Sequence, residues 1–389
     1  MGNDLEKKFR LPRPKEIDFP SCDEKYNINI QQIGEKNREK AEKELLAGKS
    51  IFLLKSGNIL VSLLEKDELK PRLLSHLCIY SIPNLKLVDK YTFNIKEEEE
   101  EGEEGGIYSL DGAIQLKNGN ILTIYNKLYE FEGESIKDGP KRSSEEFQMT
   151  ETYRDFIYFK DPFDPKKTIK KTRKIFNFTQ IMEAIDGKVL YIKGDKIIKC
   201  IDSNTLDINF PSLLTVKDHW TIDIIFQSEF YPDYLYICKN LHTYDKQCSE
   251  LSVYDINDFC NNKINCLFTI KVSNSVTIFA YCEYDKKYLL LDTIKNGIYI
   301  FDMETKTKVA VCPLKADVGG WYKEYGYGKM IKLESGHVTR MNGHLQVIDI
   351  REGQIFESLY IPSVRVFLVI NQYIVVIWKG YIIVAKIYD

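Results

Sequence analysis

From residue 51 to the C-terminus, short runs of Ile, Val, Leu, Tyr and Phe alternate with polar residues and are punctuated by small polar turns. That period of two is the pattern of strands in sheets, and sustained helical periodicity is nearly absent. The commonest unit is an apolar run, a tight turn and a second apolar run. It recurs as IFLL-KSGN-ILVSLL (51–64), AIQL-KNGN-ILTIY (113–125), MEAI-DGK-VLYI (182–192), AYCE-YDKK-YLLL (280–291), MIKL-ESG-HVTR (330–340) and VFLVI-NQ-YIVVI (366–377). Gly and Asn in these turns supply the positive φ that a tight hairpin requires, so each unit predicts a β-hairpin.

A third strand of shared shape follows most hairpins: HLCIYSI (76–82), KIIKCID (196–202), ELSVYDI (250–256), GIYIFDM (297–303) and HLQVIDI (344–350). A fourth comes after a short turn, as in NLKLVDKYTF (84–93), NKINCLFTI (262–270), TKTKVAVCPL (305–314) and GQIFESLYI (353–361). The aromatic or aliphatic residue followed by Asp or Ser in the third strand stands where the WD-repeat family carries Trp-Asp. The chain resembles a degenerate member of that family, with no literal Trp-Asp dipeptide. The resemblance implies an all-β fold, a single β-propeller of about seven four-stranded blades over roughly 51–93, 110–178, 180–210, 221–271, 274–314, 328–361 and 364–389.

The last of these segments holds three strands, and an unpaired edge invites aggregation. KYNINIQQI (25–33) is therefore expected to arrive from the N-terminus as the closing strand. EKNREKAEKELLA (35–47), followed by Gly48, predicts a linker helix over 34–48. Residues 1–24 are then an N-terminal extension and 25–389 the propeller.

In a four-stranded blade the first-to-second and third-to-fourth connections emerge on one face, and the remaining connections on the other. The first face has clipped turns, such as Ser56-Gly57-Asn58, Glu304-Thr305-Lys306 and Glu352-Gly353. The second carries EKDELKPRLL (65–74), KEEEEEGEEGG (96–106), PSLLTVKDHW (211–220), KNLHTYDKQC (239–248) and KADVGGWYKEYGYG (315–328). Long loops on a rigid scaffold are the usual seat of function. Residues 133–166 form an insertion in the second blade that departs from this pattern.

Composition narrows the function classes. Apolar residues make up 44% and charged residues 29% of the 389, which suits a folded domain, and the net charge of −3 gives no global attraction to nucleic acid or anionic lipid. Nine cysteines without a CxxC pair, behind an N-terminus with no apolar signal segment, read as thiols in a cytoplasmic or nuclear protein. The apolar stretch Val364 to Trp378 is interrupted by Arg365, Asn371 and Gln372, so no membrane span is expected.

Among candidate chemistries, the five histidines show no HExxH or HxH spacing, and nucleophile-elbow, Walker and dinucleotide motifs are missing, so no metal site, cofactor or enzymatic activity is expected. A catalytic propeller with carboxylates in the central channel stays open as an alternative. The basic run KKTIKKTRK, with Lys166, Lys167, Lys170, Lys171, Arg173 and Lys174, suits anion binding to phosphate, lipid or nucleic acid, and equally an edge strand whose lysines block further pairing. The acidic run from Glu97 to Glu104 reads as a solvated loop. Trp321, Tyr322, Tyr325 and Tyr327, interleaved with glycines, together with Trp220, are candidate anchors for a protein partner on the long-loop face. The sequence reading is a scaffold or adaptor that binds one or more proteins through that face.

Overall fold

A computed structural model describes residues 11–22, 29–36, 44–45, 51–66, 73–92, 106–117, 119, 121–129, 154–159, 168–175, 178–185, 187–202, 212–243, 247–273, 278–293, 297–314, 328–341, 344–360, 366–370, 373–378 and 381–388. A 3-10 turn, Pro14–Ile17, opens the chain, followed by β1 (Asn29–Lys36) and β2 (Glu44–Leu45). The first sheet is built from β3 (Ile51–Leu53), β4 (Ile59–Lys66), β5 (Leu73–Ser81) and β6 (Lys86–Thr92); the second from β7 (Gly106–Gln115), β8 (Ile121–Tyr129), β9 (Arg154–Phe159) and β10 (Thr168–Ile175). The third has β11 (Phe178–Ile185), β12 (Lys188–Lys193), β13 (Ile197–Asp202) and β14 (Leu214–Thr215). The fourth has β15 (Trp220–Gln227), β16 (Tyr234–His242), β17 (Gln247–Asp255) and, after helix α1 (Ile256–Cys260), β18 (Cys266–Ser273). The fifth has β19 (Ile278–Tyr284), β20 (Tyr288–Thr293), β21 (Gly297–Asp302) and β22 (Thr307–Cys312). After β23 (Gly328–Lys329) come β24 (Val338–Met341), β25 (His344–Asp349) and β26 (Gln354–Tyr360) of the sixth sheet, and β27 (Val366–Ile370), β28 (Tyr373–Trp378) and β29 (Tyr381–Tyr388) of the seventh.

The fold is an all-β propeller, but the expectation of about seven like blades needs correction. Five sheets are meanders of four consecutive strands: β3–β6, β7–β10, β11–β14, β15–β18 and β19–β22. The sixth sheet has three strands, because the segment expected as its inner strand is shared with its neighbour. β23 pairs in parallel with β19, and Met330 donates its amide to the Tyr281 carbonyl at 2.7 Å. One isolated bridge, Lys332 with Val338, ties that segment to β24. The last sheet is composite. β1 pairs antiparallel with β29 from Asn29 opposite Tyr388 to Lys36 opposite Ile382, so the first long strand of the chain lies beside the last.

Other sequence expectations shift as well. Within the proposed linker helix, Glu35 and Lys36 belong to β1, and Glu44–Leu45 pairs with β4; backbone pairing outweighs the helical propensity of this Glu- and Lys-rich stretch at both ends. PSLLTVKDHW is only partly a loop, since Leu214–Thr215 completes the third meander against β13. KNLHTYDKQC is mostly hairpin, paired as far as His242 opposite Gln247. The insertion contributes a strand, β9.

Among the described residues, five apolar clusters lie between adjacent sheets. They join the last sheet to the first, the second to the third, the third to the fourth, the fourth to the fifth and the fifth to the sixth. Middle strands are thereby covered on both faces. Every residue of β20 and β21 is buried, whereas outer β22 is partly exposed, which is why the middle strands read as near-continuous apolar runs. Ile51, Ile59 and Val61 of the first sheet meet Val375, Ile382 and Val384 of the last, so the ring closes by packing.

Candidate partner-binding surface

The clipped turns spend their polar groups on their own closure. At the end of the third strands, a carboxylate Oδ1 accepts nearby amides: Asp302 from Glu304 at 2.9 Å and Thr305 at 2.8 Å, and Asp349 from Glu352 at 3.1 Å, while Asp255 accepts from Asp258 at 2.9 Å as the N-cap of helix α1. Ser81 Oγ donates instead to the Lys86 carbonyl at 3.3 Å. The residues just before, Tyr80, Ile201, Tyr254, Phe301 and Ile348, are buried. The recurring apolar-Asp pair is therefore a core residue followed by a turn-closing acceptor.

A second device on this side clasps successive sheets. The amide of Lys55 donates to Gln115 Oε1 at 2.7 Å, Lys117 to Glu183 Oε2 at 2.6 Å, and Glu229 to Glu283 Oε2 at 2.6 Å, while Lys332 pairs with Asp285. In each case a residue of the inner strand or its counterpart reaches back to the preceding sheet's turn. Gln115, Glu183, Glu283 and Lys332 all stand six residues before a buried aliphatic: Ile121, Val189, Leu289 and Val338. That spacing is a repeat signal the hydrophobic pattern does not reveal.

The opposite side is built differently. The β16–β17 hairpin is braced at its base, where a bulge between Ile222 and Ile224 sets Asp223 off the regular register. Asn240 Nδ2 donates to the Asp223 carboxylate and Ser249 Oγ donates to Asn240 Oδ1, and all three residues are buried. Lys239 and Glu250 face each other across the same two strands as an ion pair. Trp220 opens β15 opposite Leu241 and is half-buried; its carbonyl accepts the ammonium of Lys196, from the turn between β12 and β13, at 2.6 Å.

Trp220 is thus a strand residue rather than a loop residue. Trp321, Tyr322, Tyr325 and Tyr327 lie outside the described residues, as do Lys166, Lys167 and the acidic run. Lys170, Lys171, Arg173 and Lys174 fall on β10, the outermost strand of its sheet, the edge position their alternation suits. Among the described residues no group of three or more His, Cys, Asp and Glu could hold a metal ion, and no helix is long and apolar enough to cross a membrane.

The sequence reading missed the buried pair at the fifth junction. Arg340 on β24 donates from Nε to Asp292 Oδ2 at 2.6 Å and from Nη2 to Oδ1 at 3.0 Å, with both side chains almost wholly buried. Burial pushes the Asp292 carboxyl up to about 6 against the pull of Arg340. A lone charge in each of two apolar strands, YLLLDT and HVTRM, was the available signal. Burial likewise raises the Cys200 thiol to about 11 and the Cys312 thiol to about 12, away from reactive thiolates. The exposed large apolar residues Leu53, Leu87, Val88, Tyr231, Leu267, Ile355 and Phe356 are spread over the first, fourth and sixth sheets, as scattered surface apolar residues ordinarily are.

No family model matches the chain, and no curated protein matches it in sequence. Among solved structures it is similar to a chain of the mitotic checkpoint complex, with a TM-score of 0.50 at 8% identity, covering 95% of this chain and 93% of that one. BamB from Moraxella catarrhalis has a TM-score of 0.44 at 11% identity, covering 92% of this chain and 98% of that one. The computationally designed Ika8 protein has a TM-score of 0.43 at 11% identity, covering 89% and 97%. At 8% identity the likeness to the checkpoint-complex chain speaks to fold alone.

Proposed function

We propose that this propeller is a protein-interaction scaffold that engages its partner through the long-connection side, with Trp220 and the aromatic segment Trp321, Tyr322, Tyr325 and Tyr327 as anchors. The observation that carries the reading is the difference between the two sides. On the clipped side, turn amides and carboxylates are consumed by closure and by clasps between sheets. On the other, the β16–β17 hairpin stands on a base braced by Asp223, Asn240 and Ser249. Among the described residues, the buried carboxylates Asp223 and Asp292 are engaged by Asn240 and Arg340. Kinship with WD-repeat propellers rests on the third-strand pattern, and residence in the cytoplasm or nucleus goes with the unmatched thiol set. The anion-binding reading of residues 166–174 draws no support from the place of Lys170, Lys171, Arg173 and Lys174 on an edge strand.

The test is site-specific photocrosslinking in the native cell extract. A crosslinker at Trp321 or Tyr325 should recover one or a few proteins that a crosslinker at Lys55 or Lys117 does not. Recovery of the same partners only from Lys55 and Lys117 would place the interface on the wrong side and overturn the assignment.

A further inference from the structure

Residues 11–22 do not trail from the ring; they run from the edge of the fifth sheet, where Leu11 and Pro12 lie, into the groove between the fifth and sixth sheets, where Ile17 and Phe19 pack. Val311, on the outer strand β22, donates its amide to the Pro12 carbonyl at 3.1 Å, so the segment enters along an open sheet edge. Leu11 packs against the cluster between the fourth and fifth sheets, and Ile17 against the cluster between the fifth and sixth. Pro14 is buried, and Phe19 is 1% exposed, its ring centroid 4.9 Å from Tyr284 and 5.0 Å from Tyr288. Lys15 meets Glu352 at 3.1 Å on the surface.

Two features set this contact apart from ordinary chain packing. The segment holds its own shape: Glu16 N bonds Arg13 O at 2.9 Å, Arg13 N bonds Glu16 Oε2 at 3.1 Å, and Phe19 N bonds Pro14 O at 3.2 Å. The ring also does not need it for strand pairing, because the fifth and sixth sheets pair internally and the last is completed by β1. Meanwhile the groove is shaped to receive a chain. Gly336, at φ +86°, leaves room there, since a Cβ would stand 3.2 Å from the Tyr284 hydroxyl and 3.5 Å from Cys22 Cα. Tyr284 in turn donates to the Gly336 carbonyl at 2.9 Å. An edge hydrogen bond, a proline-led turn and one buried aromatic anchor are the elements by which folded domains read short peptides.

We propose that the groove between the fifth and sixth sheets is a peptide-recognition site, occupied in cis by residues 11–22, and that it accepts from a partner protein a segment of the same chemistry: a proline-led turn followed by a buried phenylalanine. The cis segment competes at the high effective concentration of a tethered ligand, so partners engage when it is displaced. This site is separate from the long-connection side.

The experiment uses fluorescence anisotropy with a labelled synthetic peptide of residues 9–24, the same peptide carrying Phe19→Ala, and the full chain as wild type and as Phe19→Ala. The Phe19→Ala chain should bind the native peptide saturably and at least tenfold tighter than the wild-type chain does, and the Phe19→Ala peptide should bind at least tenfold more weakly. A folded Phe19→Ala chain that binds neither peptide, or both alike, overturns the proposal. Should Phe19→Ala prevent folding, a protease site replacing residues 24–27 of the otherwise native chain allows cleavage after folding. Exchange of the released segment for labelled peptide, followed by size exclusion and mass spectrometry, then supports the site, and retention of the original segment against excess peptide refutes it.

Discussion

Replacing Asp292 by alanine would leave the guanidinium of Arg340 buried at the junction of the fifth and sixth sheets without its bidentate partner. Arginine cannot neutralise itself by losing a proton, so the cost is that of a stripped buried charge, about 3–5 kcal/mol. With roughly 2.1 cal/mol/K of unfolding entropy per residue over 389 residues, a cooperative melt moves by about 1 °C per kcal/mol, so Tm should fall by about 4–6 °C. The double variant Asp292→Ala/Arg340→Met removes both charges and should recover most or all of that loss, giving a coupling energy above about 2 kcal/mol. The pH dependence is a separate check. Because the native carboxyl titrates near 6 and an unfolded one near 3.8, the native state keeps a proton that the unfolded chain has released in that window. Stability contributed by this group therefore falls as pH rises from about 4 to 6 and is level above it, and relative to the double variant the wild type should lose stability between pH 4 and 7. Urea denaturation of the wild type, Asp292→Ala, Arg340→Met and the double variant at several pH values reads both effects. A single-variant loss below about 1 kcal/mol, with additive costs in the double variant, would refute the reasoning.

Gly297→Ala should be strongly destabilising, by about 2–4 kcal/mol, because the position has φ +87° and a Cβ would meet the Cys312 carbonyl oxygen at 2.2 Å; an unchanged urea midpoint would contradict this. Glu183→Ala should cost about 0.5–1.5 kcal/mol by removing the carboxylate that accepts the exposed Lys117 amide, and Glu183→Gln should restore part of it in the same assay. Deleting residues 1–36 removes the strand paired to β29 and should give aggregation or a melting point lower by several degrees; a monomeric protein with an unchanged melt would show that this pairing is dispensable. In the folded protein at pH 8, exposed Cys266 should alkylate first, while Cys312, buried with its thiol raised to about 12, should stay protected until denaturant is added, as followed by peptide mass spectrometry.

What the sequence alone carried was local. Alternating apolar runs and Gly- or Asn-bearing turns determined hairpins such as 113–125 and 280–291, and the Asp at the end of third strands marked the turns at Asp302 and Asp349, because strand periodicity and turn closure depend on neighbours within a few residues. Where a pairing had to be chosen between distant partners, local pattern fell short. Gly328–Lys329 reads as the start of its own hairpin but joins β19, and Glu35–Lys36 reads as helix but joins β29, since either outcome satisfies the same local propensities. The Asp292–Arg340 pair, the backward clasps of Glu183 and Glu283, and the docking of Phe19 between Tyr284 and Tyr288 were decided by tertiary structure. Each is an interaction across a junction between sheets, and a hydrophobic pattern records only that a strand is buried, not which side chain of the next sheet, or of a segment some 265 residues earlier, will cover it.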